Sequence, residues 1–371
     1  MFYTRISTIL TMVLGVLLLN SCQKEFTITV QSNNEAWGNV IGGGEYKKGT
    51  IVQLLATPAT GYQFGKWDDG NTDNPRSITV EKNTTYIAFF VAEGGGGEEP
   101  VYAAAFSVSA SQKVLFSPGN LQWSATNGGS TPTTHVVADG TAEGTWRFAP
   151  NQWDTIGANN NNVSSTYTGW IDLFGWGTSG YDNKYPYLIN TNDAAYGNGE
   201  NDITGTNYDW GVYNAIYNSK TQTTDAPGTW RTLTTDEWAY LLNTRTTSSG
   251  IRYAKAIVRS INGLVILPDN WNSSVYALDS TNTKTATWTS NIINADNWAK
   301  IEAAGCVFLP LAGYRKEKDV YNGTLVGNYW SSTFYNSDYA CILRINSSDL
   351  EPAGYYYRSN GISVRLVKDV K

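Results

Sequence analysis

The stretch GNYWSSTFYNSDYACILRINSSDLEPAGYYYRSNGISVRLV, residues 327–367, has apolar ends and a polar, tyrosine-rich middle. Within it, apolar side chains such as Phe334, Ile342 and Leu350 are interleaved with Tyr, Asn, Ser and Asp. Because successive side chains of a strand point to opposite faces, this interleaving predicts strands with one buried and one exposed face. The stretch therefore predicts a folded sheet that presents an adaptable surface.

The polar residues of this stretch are of the kinds that bind macromolecules. Tyrosine supplies rigid aromatic contact area, and neighbouring Ser, Asn and Gly supply adaptable hydrogen bonds, as in antibody-like binding surfaces. The alternative is an ordinary solvated turn region, because loops are commonly polar. We expect a macromolecular or glycan ligand to contact Tyr335, Asn336, Asp338, Tyr339, Asn346, Ser348, Asp349, Tyr355, Tyr356, Tyr357, Ser359 and Asn360.

The composition of the chain limits its class and its partners. The chain has 371 residues, enough for two or three domains with their own cores. Apolar residues make up 41% and charged residues 16%, which is typical of a globular protein. Acidic residues (32) outnumber basic ones (26), and Lys and Arg form no cluster. Since nucleic-acid binding depends on a basic surface, we expect no nucleic-acid partner.

The N-terminus has the anatomy of an export signal. Arg5 precedes the apolar stretch ILTMVLGVLLL, residues 9–19, which is too short to span a bilayer as a resident helix. The stretch ends in LNSC, which resembles the bacterial lipobox, and the following QKE resembles the export tag of surface lipoproteins. The resemblance implies a signal peptide at residues 1–22, lipidation of Cys22, and exposure on the outer membrane through a lipid anchor alone. The alternative is an ordinary cleaved secretion signal.

Residues 23–92 alternate short strands with glycine-rich turns. The motif GGGEYKKGTIVQLLATPATGYQFGKW and the closing YIAFF resemble the divergent internalin-type B-repeat, a small β module that usually acts as a spacer. Period-two alternation predicts inward side chains at Val52, Leu54, Tyr62, Phe64, Trp67, Ile78, Ile87 and Phe89. The run EGGGGEEP, residues 93–100, has the composition of a flexible linker.

Residues 101–371 predict one large α+β domain. TTDEWAYLLNTR begins with Thr234 three residues before Glu237, the spacing of a capping box. NADNWAKIEAAG has Asn294 as its N-cap and Gly305 as its stop. The rest reads as short strands between Gly, Asn, Asp and Ser turns. Two helices with many short strands give the α+β class.

The motifs of this domain resemble a known family. FSVSASQKVLFSPGNLQW, TWRFAPNQWDTIG, GWIDLFGWGTSGY, GTWRTLTTDEWAYLL, FLPLAGYR, YWSST and SVRLV, in this order, are similar to the Fibrobacter succinogenes major paralogous domain. The resemblance implies a C-type-lectin-like fold of the variant shared with formylglycine-generating enzymes. Two helices would flank small antiparallel sheets, and long loops would supply the ligand face. It gives a structural role to Trp330, Ser331, Ser332, Val364 and Arg365.

Catalysis is not expected. The single histidine, His135, lies in a loop with no flanking motif. Formylglycine-generating enzymes use a pair of reactive cysteines in their closing segment, where this chain has Cys341 alone, and Cys306 lies 35 positions upstream. In an exported protein these two cysteines form either a disulfide or two buried free thiols.

No cofactor is expected either. The loop YGNGENDITG offers Glu200, Asn201 and Asp202 as oxygen ligands for calcium, but such a turn needs no metal to explain it. The tryptophans of the motifs are expected to fill the core.

The tyrosine-rich segment has one further property. Asn, Ser, Tyr and Asp are all reached from an AAC codon by substitution of its adenines, and diversity-generating retroelements randomise adenines in lectin-like targets with a variable C-terminus. The favoured function is a surface-anchored, non-catalytic, adhesin-like or receptor-like binding protein whose C-terminal face is diversified in this way. The alternatives are a structural envelope or appendage subunit and, less favoured, a formylglycine-generating-type enzyme.

Overall fold

The computed structural model describes residues 24–32, 37–67, 71–92, 104–126 and 144–370. The predicted lipidation site Cys22, the linker 93–100 and His135 lie outside the described residues. The chain divides into two compact units, one within residues 1–100 and one within residues 101–371. Both are rich in β-structure, and helices are few and short, so the fold is of the β-rich α+β class. Among the described residues, no helix has the length and apolar character needed to cross a membrane.

The first unit has two sheets in its described part, one of four strands in the order β3-β1-β7-β5 and one of three in the order β2-β4-β6. Its strands are β1 (Glu25–Ser32), β2 (Gly38–Ile41), β3 (Gly44–Lys47), β4 (Ile51–Pro58), β5 (Tyr62–Trp67), β6 (Arg76–Thr79) and β7 (Thr84–Ala92). β1 and β7 run parallel, and the other pairs are antiparallel.

The core of the first unit confirms most of the predicted inward positions. Val52, Leu54, Trp67 and Ile78 are buried, and Tyr62 and Phe64 are half-buried. The prediction is wrong for the last strand.

In β7, Ala88 and Phe90 are buried, whereas Ile87 and Phe89 remain half-buried. YIAFF has apolar residues at both odd and even positions, so alternation alone does not decide which face of the strand is buried. The choice is made by Gly38 on β2, since a Cβ there would lie 2.5 Å from the Phe90 ring. The absent side chain leaves the space that the Phe90 ring fills.

The second unit has five small sheets in its described part: β10-β11-β12-β13, β14-β24-β9-β8, β17-β15-β16-β18, β19-β20 and β21-β22-β23. The strands are β8 (Phe106–Ser107), β9 (Lys113–Phe116), β10 (Leu121–Ser124), β11 (Thr145–Phe148), β12 (Ile216–Asn218), β13 (Thr223–Asp225), β14 (Arg231–Thr232), β15 (Tyr253–Val258), β16 (Ile261–Ile266), β17 (Ile292–Ile293), β18 (Val307–Pro310), β19 (Tyr314–Lys316), β20 (Asp319–Tyr321), β21 (Gly327–Phe334), β22 (Tyr339–Ile345), β23 (Leu350–Tyr357) and β24 (Leu366–Asp369). The last strand, β24, pairs antiparallel with β9, so the two ends of the unit meet in one sheet.

Both predicted helices are present. α2 (Thr235–Ala239) has the full capping box between Thr234 and Glu237 and continues as a π-helical turn, Tyr240–Thr244. α3 (Ala295–Ala303) is capped by the Asn294 side chain. Gly305 follows it with φ +86°, as expected of a helix stop.

A helix of one turn, α1 (Trp210–Tyr213), was not predicted. Four residues give no helical period to detect. Four 3-10 segments complete the described helices: Gly157–Asn162, Tyr181–Asn183, Asp193–Ala195 and Trp288–Ser290.

Strand β21 separates two cores of the second unit. Tyr329 packs into one core together with Trp238 of α2 and Leu343 of β22. The next residue, Trp330, packs into the other core with Ile342. Of the motif tryptophans, Trp176, Trp238 and Trp330 are fully buried, as expected. Trp153 is half-buried, and so is Trp170, which lies under the guanidinium of Arg147. The five residues expected to be structural are all buried: Trp330, Ser331, Ser332, Val364 and Arg365.

A buried carboxyl group joins α1 to β14. Asp209 is fully buried, and its Oδ2 accepts a hydrogen bond of 2.8 Å from the backbone N of Thr232. Its Oδ1 accepts from the Thr232 hydroxyl at 2.9 Å and from the backbone N of Gly211 at 3.3 Å. Burial raises the pKa of Asp209 from the usual 3.8 to about 6, although these hydrogen bonds oppose the shift. The folded protein therefore binds this proton more tightly than the unfolded chain.

Asp209→Asn is expected to remove a pH-dependent contribution to stability. The amide keeps an oxygen for the Thr232 N–H, and the Thr232 hydroxyl can rotate to accept from its NH2. The wild-type group contributes stability that is complete below pH 3.8 and is lost as the pH rises through about 6. On acidification from neutral pH to pH ~4, wild type should gain about 2 kcal/mol relative to the variant. Urea unfolding at several pH values, followed by tryptophan fluorescence, measures the difference; a difference independent of pH would contradict this account.

Candidate ligand-binding face

The tyrosine-rich stretch forms the antiparallel sheet β21-β22-β23, as its alternation predicts. One face of this sheet is partly covered by α2, which packs against all three strands. The Thr235 hydroxyl lies 3.0 Å from that of Ser331, and the Thr235 backbone N donates to the Thr333 hydroxyl at 3.1 Å. Because α2 is short, the same face continues beyond the helix without cover.

Four predicted residues come together on this uncovered part, which we call the tyrosine patch: Tyr335, Tyr339, Tyr355 and Tyr357. Tyr335 and Tyr355 stack with ring centroids 4.5 Å apart and planes at 10°. Tyr339 contacts Tyr355 edge-on at 5.3 Å and Tyr357 at 4.5 Å. A hydrogen bond with Tyr357 raises the pKa of Tyr339 to about 12. The four rings form one continuous surface.

The tyrosine patch is unusually exposed for aromatic residues. The exposed fractions are 51% for Tyr335, 48% for Tyr355 and 47% for Tyr357, and Tyr339 is half-buried. Aromatic side chains gain free energy when buried, so a cluster that remains half in water is typical of a surface that buries it on binding.

The turn between β21 and β22 is held by predicted site residues. The Asn336 side-chain Oδ1 accepts 2.9 Å hydrogen bonds from the backbone N of Asp338 and of Tyr339. This is the side-chain mimic of a backbone turn that Asn commonly makes. Asn336 therefore shapes the turn that carries the patch, while the exposed carboxylate of Asp338 stands beside Tyr339.

A buried arginine fastens this turn to the body of the domain. Arg358 is 1% exposed, and its guanidinium lies 5.0 Å from the Trp176 ring centroid and 5.7 Å from that of Phe334. It donates to the backbone oxygens of Ser337, at 3.2 Å, and of Tyr196. Burial lowers the pKa of Arg358, and the nearby carboxylates of Asp193 and Asp338 oppose that shift.

Three predicted contact residues that are close to the patch in sequence are not part of its exposed surface. Tyr356 points to the opposite face of the sheet, where its ring packs edge-on against Tyr314 at 5.2 Å. The backbone N of Ser359 donates to Asp193 at 2.7 Å. Asn360 is only 4% exposed, so its side chain is not available on the exposed face.

Three others lie at the far end of the β22–β23 hairpin. Tyr339 pairs with Tyr357 at one end, and Ile345 pairs with Leu350 at the other, so the ends are about 20 Å apart at the usual strand rise. The far turn contains Asn346, Ser348 and Asp349. The single binding face predicted from the sequence therefore combines residues from the two opposite ends of one hairpin.

The far turn has its own anchor. The Lys255 ammonium donates to the backbone oxygens of Asn346 at 2.7 Å and of Ser347 at 3.1 Å. The Asn346 side chain accepts from the Ser348 backbone N at 2.9 Å, so it caps this turn as Asn336 caps the first. Burial lowers the pKa of Lys255 to about 8.

Carboxylates that the sequence did not connect with the patch stand at its border. Asp202 accepts a 2.7 Å hydrogen bond from the backbone N of Phe334, the residue before Tyr335. Asp236 is exposed on α2, and its charge, like that of Asp202, acts on Cys341 in the strand beneath. Asp202 lies 132 positions before Phe334, a separation that no local pattern bridges.

The two cysteines of the domain are buried free thiols. Burial raises the pKa of Cys341, and that of Cys306 well above its usual value. Two of the three residues offered as calcium ligands have other partners, since Asp202 accepts from the backbone N of Phe334 and the Asn201 amide donates to the backbone oxygen of Asn198. Among the described residues, no group of three or more His, Cys, Asp or Glu side chains is close enough to hold a metal ion.

Comparison with known proteins identifies part of the chain. Residues 28–94 match the family model of the divergent InlB B-repeat domain, which agrees with the resemblance seen in the strands of the first unit. No curated protein and no solved structure matches the chain at a significant level.

Arg358→Met is expected to loosen the turn that carries the patch. Methionine fills much of the space between Trp176 and Phe334 but leaves the Tyr196 and Ser337 carbonyls without their donor. The free energy of unfolding should fall by about 3 kcal/mol, and the amides of residues 335–339 should exchange faster with solvent. Arg344→Met is the matched control on the same sheet: its exposed ion pair with Glu351 contributes less than about 1 kcal/mol. Equal losses from the two variants, measured by urea unfolding and hydrogen exchange, would contradict the anchoring role.

Proposed function

We propose that this protein is a lipid-anchored lipoprotein of the outer-membrane surface that binds a macromolecular or glycan ligand without catalysis. The observation that carries the proposal is the tyrosine patch, in which four aromatic side chains from the β21–β22 turn, β22 and β23 form one exposed surface. Interfaces are enriched in Tyr, and a few such residues commonly dominate the binding energy.

The setting of the patch supports a preorganised binding surface. Two rings are fixed by mutual stacking, the β21–β22 turn is capped by Asn336, and Arg358 holds that turn from below. A surface that is already ordered before binding loses little conformational entropy when the ligand arrives. Such rigidity favours recognition over the role of a flexible connecting loop.

The finer identity of the second unit is also part of the proposal. We assign residues 101–371 to the C-type-lectin-like fold of the major paralogous domain. Two capped helices, small and mostly antiparallel sheets, and long connections agree with that architecture. The signal anatomy ending at Cys22 supports the anchor, and the B-repeat module followed by a glycine-rich linker suits a spacer that presents the head.

The state of the cysteines supports binding over catalysis. A nucleophilic cysteine needs a thiolate, which is favoured by exposure and by a positive neighbourhood. Cys341 and Cys306 are both buried, and burial raises the pKa of each thiol. Asp202 and Asp236 raise the pKa of Cys341 further.

Alanine at two patch positions is expected to weaken binding without affecting the fold. Tyr335 and Tyr355 are about half exposed, so Tyr335→Ala with Tyr355→Ala removes little buried area from the free protein. Binding should weaken by at least about tenfold, as for truncated aromatic hot spots. The measurement applies full-length protein to a glycan array and to a panel of bacterial and animal cells.

The control for this experiment is Tyr321→Ala. Tyr321 is 41% exposed but stacks on Tyr314, on the side of the sheet opposite the patch. If the double variant binds as wild type does, the site assignment is wrong. If wild type binds neither panel, the structural-subunit alternative is favoured.

We also propose that the exposed face is diversified by a retroelement. The candidate positions are Tyr, Asn, Ser and Asp, and several of them share one exposed face above a buried framework. Such positions can change without loss of the cores that hold the sheet.

This hypothesis predicts a second, near-identical copy of the DNA that encodes residues 327–367 close to the gene. The differences between the two copies should fall almost entirely at adenines of the second copy, next to a reverse-transcriptase gene. Sequencing of the flanking DNA tests it. Flanks without such a copy would reject diversification and leave the binding proposal standing.

A further inference from the structure

The charge around the tyrosine patch is predominantly negative. The segments that form and border it are residues 331–361, α2 and residues 200–204. Together they contain seven acidic residues, two arginines and no lysine. Arg358 is buried, and Arg344 is paired with Asp349 and Glu351. The patch therefore has no free exposed cation from these segments.

Three exposed carboxylates stand at the border, and Asp202 has lone pairs for a ligand beside the one that accepts from the backbone N of Phe334. Asp202, Asp236 and Asp338 are all exposed. Within the described parts of the chain, none of them forms a salt bridge with a lysine or arginine. They approach the patch from three different segments, so a ligand on the tyrosines meets negative charge on several sides.

The rings limit what else can bind. Tyr335 and Tyr355 each use one face in their mutual stack, and Tyr355 also contacts the edge of Tyr339. The patch therefore offers hydroxyl groups, ring edges and the outer ring faces rather than one broad open platform. Outer tyrosine faces attract cations, and carboxylates form charge-assisted hydrogen bonds with guanidinium and ammonium groups.

We propose that the occupant of the tyrosine patch is a protein surface rich in lysine and arginine. This inference rests on the proposed binding function and specifies its ligand. Basic side chains would lie against the outer tyrosine faces and pair with Asp202, Asp236 and Asp338. Anionic glycans and phosphate-bearing surfaces are disfavoured by the same carboxylates. Neutral glycans can donate hydroxyl hydrogen bonds to them but bring no opposite charge, so they gain less from these carboxylates than a basic protein surface does.

The test is a selection of binding peptides on immobilised full-length protein. A random peptide library displayed on phage is selected on wild type and on the variant with Tyr335→Ala and Tyr355→Ala. Peptides that depend on the tyrosines should carry an excess of Lys and Arg over the input library. One synthesised peptide from this set is then the probe for affinity measurements.

Two further variants test whether the three carboxylates at the patch, rather than the net charge of the protein, contribute to peptide affinity. The triple variant Asp202→Asn, Asp236→Asn and Asp338→Asn should weaken the peptide by about tenfold, since three exposed pairs are lost. The matched control is Asp279→Asn, Asp296→Asn and Asp319→Asn, three exposed carboxylates outside the segments of the patch, with an equal change in net charge. The control should keep wild-type affinity. A loss of similar size in both triples would reduce the effect to net charge and overturn the inference.

The outcomes separate this inference from the proposed function. Tyrosine-dependent peptides without an excess of Lys and Arg, or tyrosine-dependent binding to a glycan array alone, would overturn the basic partner and leave the binding function standing. Absence of tyrosine-dependent binding to both peptides and glycans would overturn both. Peptides rich in Lys and Arg that lose affinity with both the tyrosine and the patch aspartate variants support both.

Discussion

Strand β21 sends two adjacent side chains into two different cores, and the exposed tyrosines depend on this arrangement. Tyr329 packs with α2 and the surrounding strands, and Trp330 packs on the other side of the sheet. Both faces of the strand are thereby fixed, and a slip of one residue would exchange a tyrosine and a tryptophan between cores of different shape. The register of β21 in turn brings Tyr335, the residue after the strand, into its stack with Tyr355 on β23. The patch is the uncovered continuation of a sheet whose other half is core.

The border of the patch is set by the length of α2. Its capping box starts the helix where the Thr235 hydroxyl meets Ser331. The helix and its π-helical turn then direct Trp238 and Leu241 into the core. A longer cover over the sheet would bury the tyrosines; this short helix leaves them in water and adds the Asp236 carboxylate to their border. The same local element thus closes one core and defines the edge of the surface.

The sequence predicted features that depend on neighbouring residues and missed those that depend on distant ones. The two capped helices and the sheet formed by the closing segment follow from spacing along the chain. The direction of each tyrosine was not predicted, since Tyr356 was expected beside Tyr355 and Tyr357 but packs on the opposite face. The hairpin, however, carries its polar residues to two ends, and composition does not distinguish them. The contact of Asp202 with Phe334 and that of Arg358 with Tyr196 join segments 132 and 162 positions apart. Such contacts are consequences of the whole fold. The choice of Phe90 over Phe89 was missed for a related reason, since a glycine on another strand decides it.

The polar residues of the closing segment have two different roles: some form the exposed surface, and others hold the turns. Tyr355 and Tyr357 project from β23 and Tyr335 from the β21–β22 turn, and all three contribute exposed ring surface, so a change of side chain there alters the face and not the fold. Asn336 and Asn346 instead use their side-chain oxygens to hold the two turns. Asp or Ser can accept the same hydrogen bonds, whereas Tyr cannot. Variation at adenines of an AAC codon would therefore be tolerated broadly at the tyrosine positions and narrowly at the turn positions. The exposed tyrosines and the asparagines that support the turns therefore occupy different positions on the sheet, although both come from the same few residue types.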